Sequence, residues 1–586
     1  MCCKTQALLP AIRFSHLQWG NPVCDVAPRP NAPETRMPHA GRILIENLEA
    51  QDVTAIFTVP GESFLAALDG MHGSSAIKPI VCRQEGGASM MADAWGKLTG
   101  APGVCFVTRG PGIANAMSGL HIAHQDSTPM VLFVGLPAMP FEDRETFQEF
   151  DVTGLLGTFV KWSAVVRDAR RIGEYVSRAF HVAQSGRPGP VVLGLPEDML
   201  SAEVEAVPAV AKAVPAMAAP GPDAVRACAE ALGAAERPLV LVGGPGWTDA
   251  ARQDLEAFAA GTGLPVAATL RAQDYMDNAH DNYVGHAGIS ADAKLAQAVR
   301  DADVLLTIGA RLGEMTTAGY TLVESPQPKQ SMIHVHPDPS ELGTVYRADL
   351  PIAAATPAFI AAMREQNMPA PSTDRQSRTA SLRQAYLTSL EPLGTPGNVE
   401  PDAVMAALSR AVPRDAIICN GAGNYAAFLH KYVQFNTYRS QLAPTSGSMG
   451  YGLPAAIAAK IAAPERPVIA VAGDGCFMMT AQELATAMHY DLPIVTIIFD
   501  NGMYGTIRMH QERDYPERVV ATRLTNPDWA AFAQSFGAHG AWVERTDAFV
   551  PALEAALAHN GPAVIACRID PEALTPRQTL SQVRAS

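Results

Sequence analysis

A carboxylate and a carboxamide, Asp474 and Asn501, each stand at the end of a short apolar run. Val468 to Ala472 runs into Gly473-Asp474-Gly475, and Ile494 to Phe499 runs into Asp500-Asn501-Gly502. Both side chains are hard oxygen donors. With the Met503 carbonyl as a third oxygen they suit Mg²⁺, which takes an octahedron of oxygens and leaves positions for phosphate oxygens and water. Gly473 and Gly475 let the backbone come close to such a ligand. Asp-Gly is also ordinary turn chemistry, so the reading depends on a scaffold that brings the two donors together.

That scaffold is legible. Each apolar run reads as a strand buried on both faces. Between them Thr480 reads as a helix cap, Glu483 completes a capping box, and Leu484, Ala487 and Met488 recur at helical spacing. A βαβ crossover keeps its strands parallel and right-handed, so both carboxyl ends open on one edge of the sheet and Asp474 can meet Asn501. The same alternation recurs along the chain and predicts a doubly wound α/β fold. Ala55 to Val59 leads into Pro60-Gly61-Glu62-Ser63, Ile80 to Cys82 into Arg83-Gln84-Glu85, and Val104 to Thr108 into Arg109-Gly110-Pro111-Gly112. Further on, Val304 to Ile308 leads into Gly309-Ala310-Arg311, and Ile417 to Cys419 into Asn420-Gly421-Ala422-Gly423-Asn424-Tyr425.

At 586 residues the chain has length for several cores, and a formal charge of −14 argues against a nucleic-acid partner. Nine scattered cysteines form no metal-ligand spacing and read as buried small hydrophobes of a reducing, cytoplasmic protein. No apolar run reaches the length of a membrane span. Residues 1–36, proline-rich and without period, read as a disordered extension; 201–220 and 367–390 read as linkers.

Four strings, RQEGGASMMADAWGKLTG, TRGPGIANAMSGLHIAHQDSTPM, DRETFQEFD and GRPGPVVLGLPEDM, together with the Asp474–Asn501 motif, resemble the acetolactate synthase branch of the thiamine diphosphate enzymes. The resemblance runs from about Ala40 to Asp570 and implies three doubly wound parallel-sheet domains. These are a pyrimidine-binding domain at 37–200, a central domain at 221–366 and a pyrophosphate-binding domain at 391–586.

What the resemblance implies for single residues follows position by position. Glu85 is the carboxylic partner of the cofactor's pyrimidine nitrogen, in a water-poor pocket. Gly447 offers its carbonyl to the pyrimidine amino group, and Met449 props the cofactor in its bent form. Asn424 and Tyr425 hold the diphosphate with Gly473, Gly475 and Cys476, while Asp474, Asn501 and the Met503 carbonyl hold Mg²⁺. Gln148 and Lys161 match positions near the reaction chamber, where they orient an acceptor or balance a carboxylate. The family builds its site from the first domain of one subunit and the last of another, which implies a homodimer or homotetramer.

The implied reaction decarboxylates a 2-oxo acid, pyruvate first, and joins the acyl-anion equivalent to a carbonyl acceptor. A non-ligating decarboxylase, a carbon–carbon lyase and an inactive cofactor-binding relative stay open as alternatives. Glu62-Ser63 replaces the two small residues that acetolactate synthases carry there; Glu62 reads as a proton relay or as a group that repels anionic acceptors. Thr506 and His510 replace a methionine and a tryptophan used there in acceptor choice. FAD also stays open: Arg311 and the glycines near Gly243 fit the flavin-binding members, whereas Gly157, Gly313 and Met315 stand where those members carry arginine, aspartate and arginine.

Overall fold

Short apolar runs, closed at their carboxyl ends by glycine, proline or asparagine, become the strands of three sheets. The computed structural model describes residues 37–205 and 207–585; the extension read at 1–36 lies outside them. In the first sheet the strands are β1 (Ala55–Thr58), β2 (Lys78–Val81), β3 (Gly103–Val107), β4 (Met130–Leu136), β5 (Trp162–Val165) and β6 (Pro190–Pro196). The second has β7 (Leu239–Val242), β8 (Val266–Ala268), β9 (Tyr283–His286), β10 (Val304–Ile308), β11 (Ser331–His336) and β12 (Leu350–Ala353). The third has β13 (Ile417–Asn420), β14 (Gln441–Leu442), β15 (Val468–Gly473), β16 (Ile494–Asp500), β17 (His539–Val543) and β18 (Ala563–Arg568).

All pairings are parallel. The first sheet has the order β2-β1-β3-β4-β6-β5, and the third repeats it as β14-β13-β15-β16-β18-β17. No repeat is visible by eye in the letters of the two ends, yet their topology is one. The middle sheet, β12-β11-β10-β7-β8-β9, is the dinucleotide-fold order, reversing direction between β7 and β10. All three sheets lie in the compact unit that begins at Pro38.

Small residues set the depth of the packing. The helix Glu85–Thr99 buries Gly86, Gly87, Ala88 and Ala92, and the helix Gly452–Ala462 buries Ala455, Ala456, Ala458 and Ala459. Both helices belong to one apolar cluster that runs from Cys105 and Leu132 of the first sheet to Ile469 and Ile497 of the third. The residue that heads Glu85–Thr99 is thereby set on a rigid element.

Two local expectations give way to tertiary partners. Thr480 Oγ1 donates to the Gly450 carbonyl at 2.6 Å instead of capping a helix. Glu483, fully buried, accepts from the Arg83 and Gln84 amides at 3.1 and 3.0 Å and from Thr486 Oγ1 at 2.6 Å, so no capping box forms. A buried carboxylate gains more from several amide donors than from one local cap. Within 367–390, expected as a linker, the helix Thr373–Ser389 forms. Its Arg375 donates to the Leu232 and Ala235 carbonyls at 2.8 Å, and Arg383 donates to Asn278 and Tyr283.

Candidate active site

The carboxyl edge of the third sheet gathers the oxygen donors. Gly473 of β15 pairs with Phe499 of β16, so Asp474 and Asp500-Asn501 leave the sheet side by side. Asp474 is buried. Its Oδ1 accepts from the Gly475 amide at 2.8 Å; its Oδ2 accepts from the Gly502 amide at 3.0 Å and from Asn526 Nδ2 at 2.7 Å. The same Asn526 Nδ2 donates to Asp500 Oδ1 at 2.9 Å, and Trp529 Nε1 donates to Asp500 Oδ2 at 2.9 Å. Burial pushes the Asp474 carboxyl up to about 6; Asn526 and Gly475 pull it down, and Asp500 beside it pushes the same way as burial. A divalent cation at this carboxylate would favour its charged form.

Beside the pair lies a cradle for an anion. Asn424 Oδ1 accepts from Thr506 Oγ1 at 2.7 Å, while Asn424 Nδ2 is buried with no partner. An unused buried donor costs about 1–3 kcal/mol, which an incoming phosphate oxygen would relieve. The Asn501 and Asn424 amides flank Gly505, where a Cβ would come within 3.3 Å of one and 3.9 Å of the other. Asn501 Oδ1 accepts from the Met503 amide at 3.2 Å, and the Met503 side chain packs on Leu574, Leu580 and Val583, leaving its main chain as the part beside the donors. Tyr425 Oη and Cys476 Sγ are 3.4 Å apart, and Cys476 Sγ accepts from the Gly450 amide at 3.3 Å. Gly475 sits so close to the Tyr504 ring that a Cβ would fall 2.6 Å from it. Gly447, at φ +71°, faces open space, and Met449 packs on the shared core. The donor set and the unpartnered amide therefore fit a diphosphate with its magnesium.

The carboxyl edge of the first sheet gathers a different set. Glu85 opens the helix Glu85–Thr99, with Gln84 Oε1 accepting from the Gly87 amide as the cap. Glu85 Oε2 accepts from Asn115 Nδ2 at 2.9 Å, and the side chain is half-buried rather than enclosed. Glu62 follows β1, and its carboxylate stands 3.6 Å from Arg109 Nη1. Gln148, at φ +61°, accepts through its carbonyl from the Gly110 amide at 2.9 Å, which lays its loop over the end of β3. Lys161 is apart from these. Its ammonium donates to the Val182 and Ser185 carbonyls at 2.6 and 2.5 Å, at the end of the helix Ile172–Gln184.

Among the described residues, no hydrogen bond or ion pair joins Glu85, Glu62 or Gln148 to Asp474, Asn501 or Asn424. Glu483 is the third-sheet residue that reaches the first-sheet set, through the turn that carries Glu85. Asp500, Asn526, Arg109 and Glu483 have roles that the sequence reading missed. Asp500 and Arg109 were visible as polar residues ending strands; Asn526 sits in a loop and carried no signal.

A cleft of 1090 Å³ opens at the reversal point of the middle sheet, lined by Gly244, Trp247, Arg311, Met315 and Tyr438, and it reaches Gly447. Gly244, at φ +72°, needs to be glycine, since a Cβ there would fall 1.8 Å from the Gly309 carbonyl. Arg311 donates to the Gln125 carbonyl. Among the described residues, Cys82, Cys105, Cys228, Cys419, Cys476 and Cys567 are all buried and form no disulfide. No described helix is long and apolar enough to cross a membrane.

Three family models match the chain in order. They are the N-terminal TPP binding domain of thiamine pyrophosphate enzymes at residues 38–155, the central domain at 225–363 and the C-terminal TPP binding domain at 421–567. Among curated proteins, the chain is 31% identical to an acetolactate synthase large subunit of Corynebacterium glutamicum, across 92% of this chain and 87% of that one. It is 32% identical to the corresponding subunit of Parasynechococcus marenigrum, across 91% and 88%. It is 30% identical to the acetolactate synthase isozyme 2 large subunit of Escherichia coli, across 90% and 95%.

Proposed function

The chain belongs to the thiamine pyrophosphate enzymes, in the acetolactate synthase-like branch, and from that premise we propose that it decarboxylates pyruvate and ligates the acyl unit to a carbonyl acceptor. The observation that carries the reading is the buried, unpartnered Asn424 amide beside Asp474 and Asn501, an anion cradle and a cation site on one sheet edge. When bound, thiamine diphosphate would supply the nucleophilic carbon for decarboxylation and acyl transfer.

The chain's own residues bind, orient and move protons. Asp474, Asn501 and the Met503 carbonyl hold Mg²⁺; Asn424 Nδ2 donates to the diphosphate, with Tyr425, Gly473, Gly475 and Cys476 shaping its bed. Glu85 holds a proton at a carboxyl oxygen facing the pyrimidine nitrogen, oriented by Asn115. Gly447 would offer its carbonyl to the cofactor's amino group, and Met449, packed on the core, would support the cofactor from below. Gln148 orients the acceptor. Glu62 is the further charged group of the chamber, at its mouth, whereas Lys161 serves the end of the helix Ile172–Gln184.

Two copies of the chain complete the site, the first-sheet edge of one against the third-sheet edge of the other. The half-exposed Glu85 of a single chain supports this reading, because proton transfer beside a thiazolium calls for water to be excluded. The domain limits are those of the sequence reading, 37–200, 221–366 and 391–586. The middle cleft has the place and volume for a nucleotide cofactor, with FAD the first to test.

Mass-resolved product analysis with pyruvate, thiamine diphosphate and Mg²⁺, with and without FAD, tests the reading. We expect 2-acetolactate. Acetaldehyde alone would make the protein a simple decarboxylase, and cofactor binding without turnover on a panel of 2-oxo acids would make it an inactive relative.

A further inference from the structure

Arg109 ends β3 with its guanidinium buried in the first-sheet edge, the side chain only 8% exposed. Its Nη2 donates to Glu197 Oε2 at 2.5 Å. Its remaining donors are poorly matched. Nη1 stands 3.6 Å from Glu62 Oε1, beyond hydrogen-bond range, and 3.5 Å from the Phe147 carbonyl, while Nε is buried with no partner. Glu62 is itself 67% exposed, so little holds it there. A guanidinium is a rigid fork of five donors that seats carboxylates two bonds at a time, and here one carboxylate is seated while the second place is loosely filled.

We propose that this second place on Arg109 receives the carboxylate of the acceptor 2-oxo acid, with Glu62 a placeholder that the substrate displaces. The inference rests on the reading above, in which the edge carrying Glu62 and Gln148 faces the reaction chamber. Exchange of one carboxylate for another leaves the charge around Arg109 unchanged and gives the loosely paired Nη1 a closer partner, so the desolvation cost is already met by the fold. The acceptor is the better candidate than the donor. A donor carboxylate must leave as CO₂, and a tight grip on it would stabilise the ground state and slow the step. An acceptor keeps its carboxylate through the reaction. Phe147, 68% exposed beside the fork, offers an apolar wall for the acceptor's alkyl group.

The test is a competition between 2-oxobutyrate and benzaldehyde as acceptors, with pyruvate as donor and the enzyme loaded with thiamine diphosphate and Mg²⁺. The products, 2-aceto-2-hydroxybutyrate and phenylacetylcarbinol, differ in whether the acceptor brought a carboxylate. Arg109→Gln is expected to lower the ratio of the first to the second at least about tenfold. Glu62→Gln is expected to raise it, a direction that a folding defect would not produce. A ratio changed less than twofold by Arg109→Gln, or lowered by Glu62→Gln, overturns the proposal. If the wild-type protein ligates neither acceptor with any 2-oxo acid donor, the reading of the function falls instead. Calorimetric binding of oxamate, an unreactive analogue of a 2-oxo acid, then decides Arg109: weakened in Arg109→Gln and tightened in Glu62→Gln supports it, and equal affinity in all three proteins overturns it.

Discussion

The first and third sheets have one strand order and opposite edges. At the third-sheet edge the polar groups are closed on each other: Asp474 is buried under three donors, Asn526 bridges it to Asp500, and the unused donor is the Asn424 amide. At the first-sheet edge Glu85 is half-buried, Glu62 is mostly exposed and the Arg109 fork is part-filled. One topology thus yields a closed edge and an open one. A parallel sheet fixes where loops emerge, while the loops decide whether the edge is closed by its own chain or by another body.

If the two edges divide the work between proton transfer and cofactor retention, their variants should fail differently. Glu85→Gln should lower kcat by about 100-fold or more, the range of a lost general acid, while the affinity for thiamine diphosphate changes little. A cofactor titration that shifts in parallel with kcat would erase the division. Asp474→Ala should show the reverse, with apparent cofactor and Mg²⁺ affinity falling at least about 10- to 100-fold and excess of both restoring part of the rate. No recovery at any cofactor concentration would mean that Asp474 serves more than retention.

Glu483 joins the two edges, and its removal sharpens the comparison by loosening one from the other. Glu483→Gln should destabilise the fold by about 1–3 kcal/mol, because a buried amide offers one acceptor oxygen where the Glu483 carboxyl group meets the Arg83, Gln84 and Thr486 donors with two. Burial raises the Glu483 carboxyl above its ordinary value. Between its unfolded and its raised folded value the folded chain keeps a proton that the unfolded chain has lost. The stability contributed here is therefore full below the unfolded value and falls as pH rises through that window. The advantage of the wild-type protein over Glu483→Gln should shrink from pH 4.5 upward in urea unfolding; a widening gap would contradict that sign. The smallest effect belongs to Lys161. Lys161→Met should cost about 1 kcal/mol, by leaving the Val182 and Ser185 carbonyls without their donor. A large loss of kcat at intact stability would put its ammonium to work in the chamber.

Helix and strand type were legible wherever the element is buried on both faces. Val304–Ile308 was read to the residue, and β13, β15 and β16 within one residue at either end, because their apolar runs are continuous. The edge strands β5, β12 and β17 escaped notice, because β5 and β17 are mostly half-buried and β12 alternates, so none carries such a run; the edge strand β2 was read only in its apolar second half. The helix Thr373–Ser389 hid for another reason. Its buried positions are Arg375, Thr379, Leu382 and Tyr386, half of them polar, and the arginine is satisfied by carbonyls distant in sequence.

The letters alone dictate the doubly wound fold, the placing of Asp474 beside Asn501 on one sheet edge and the place of Glu85 at a strand-to-helix turn. Each of those follows from local periodicity and from the single hand of a parallel crossover. Contacts between distant segments are what make Glu483 clamp the Glu85 turn instead of capping its own helix, Asn526 bridge two aspartates, Lys161 serve a helix end, and Arg109 keep a buried Nε without a partner. Those outcomes turn on which buried donors find which acceptors across distant segments, a pairing that no periodicity along the chain encodes.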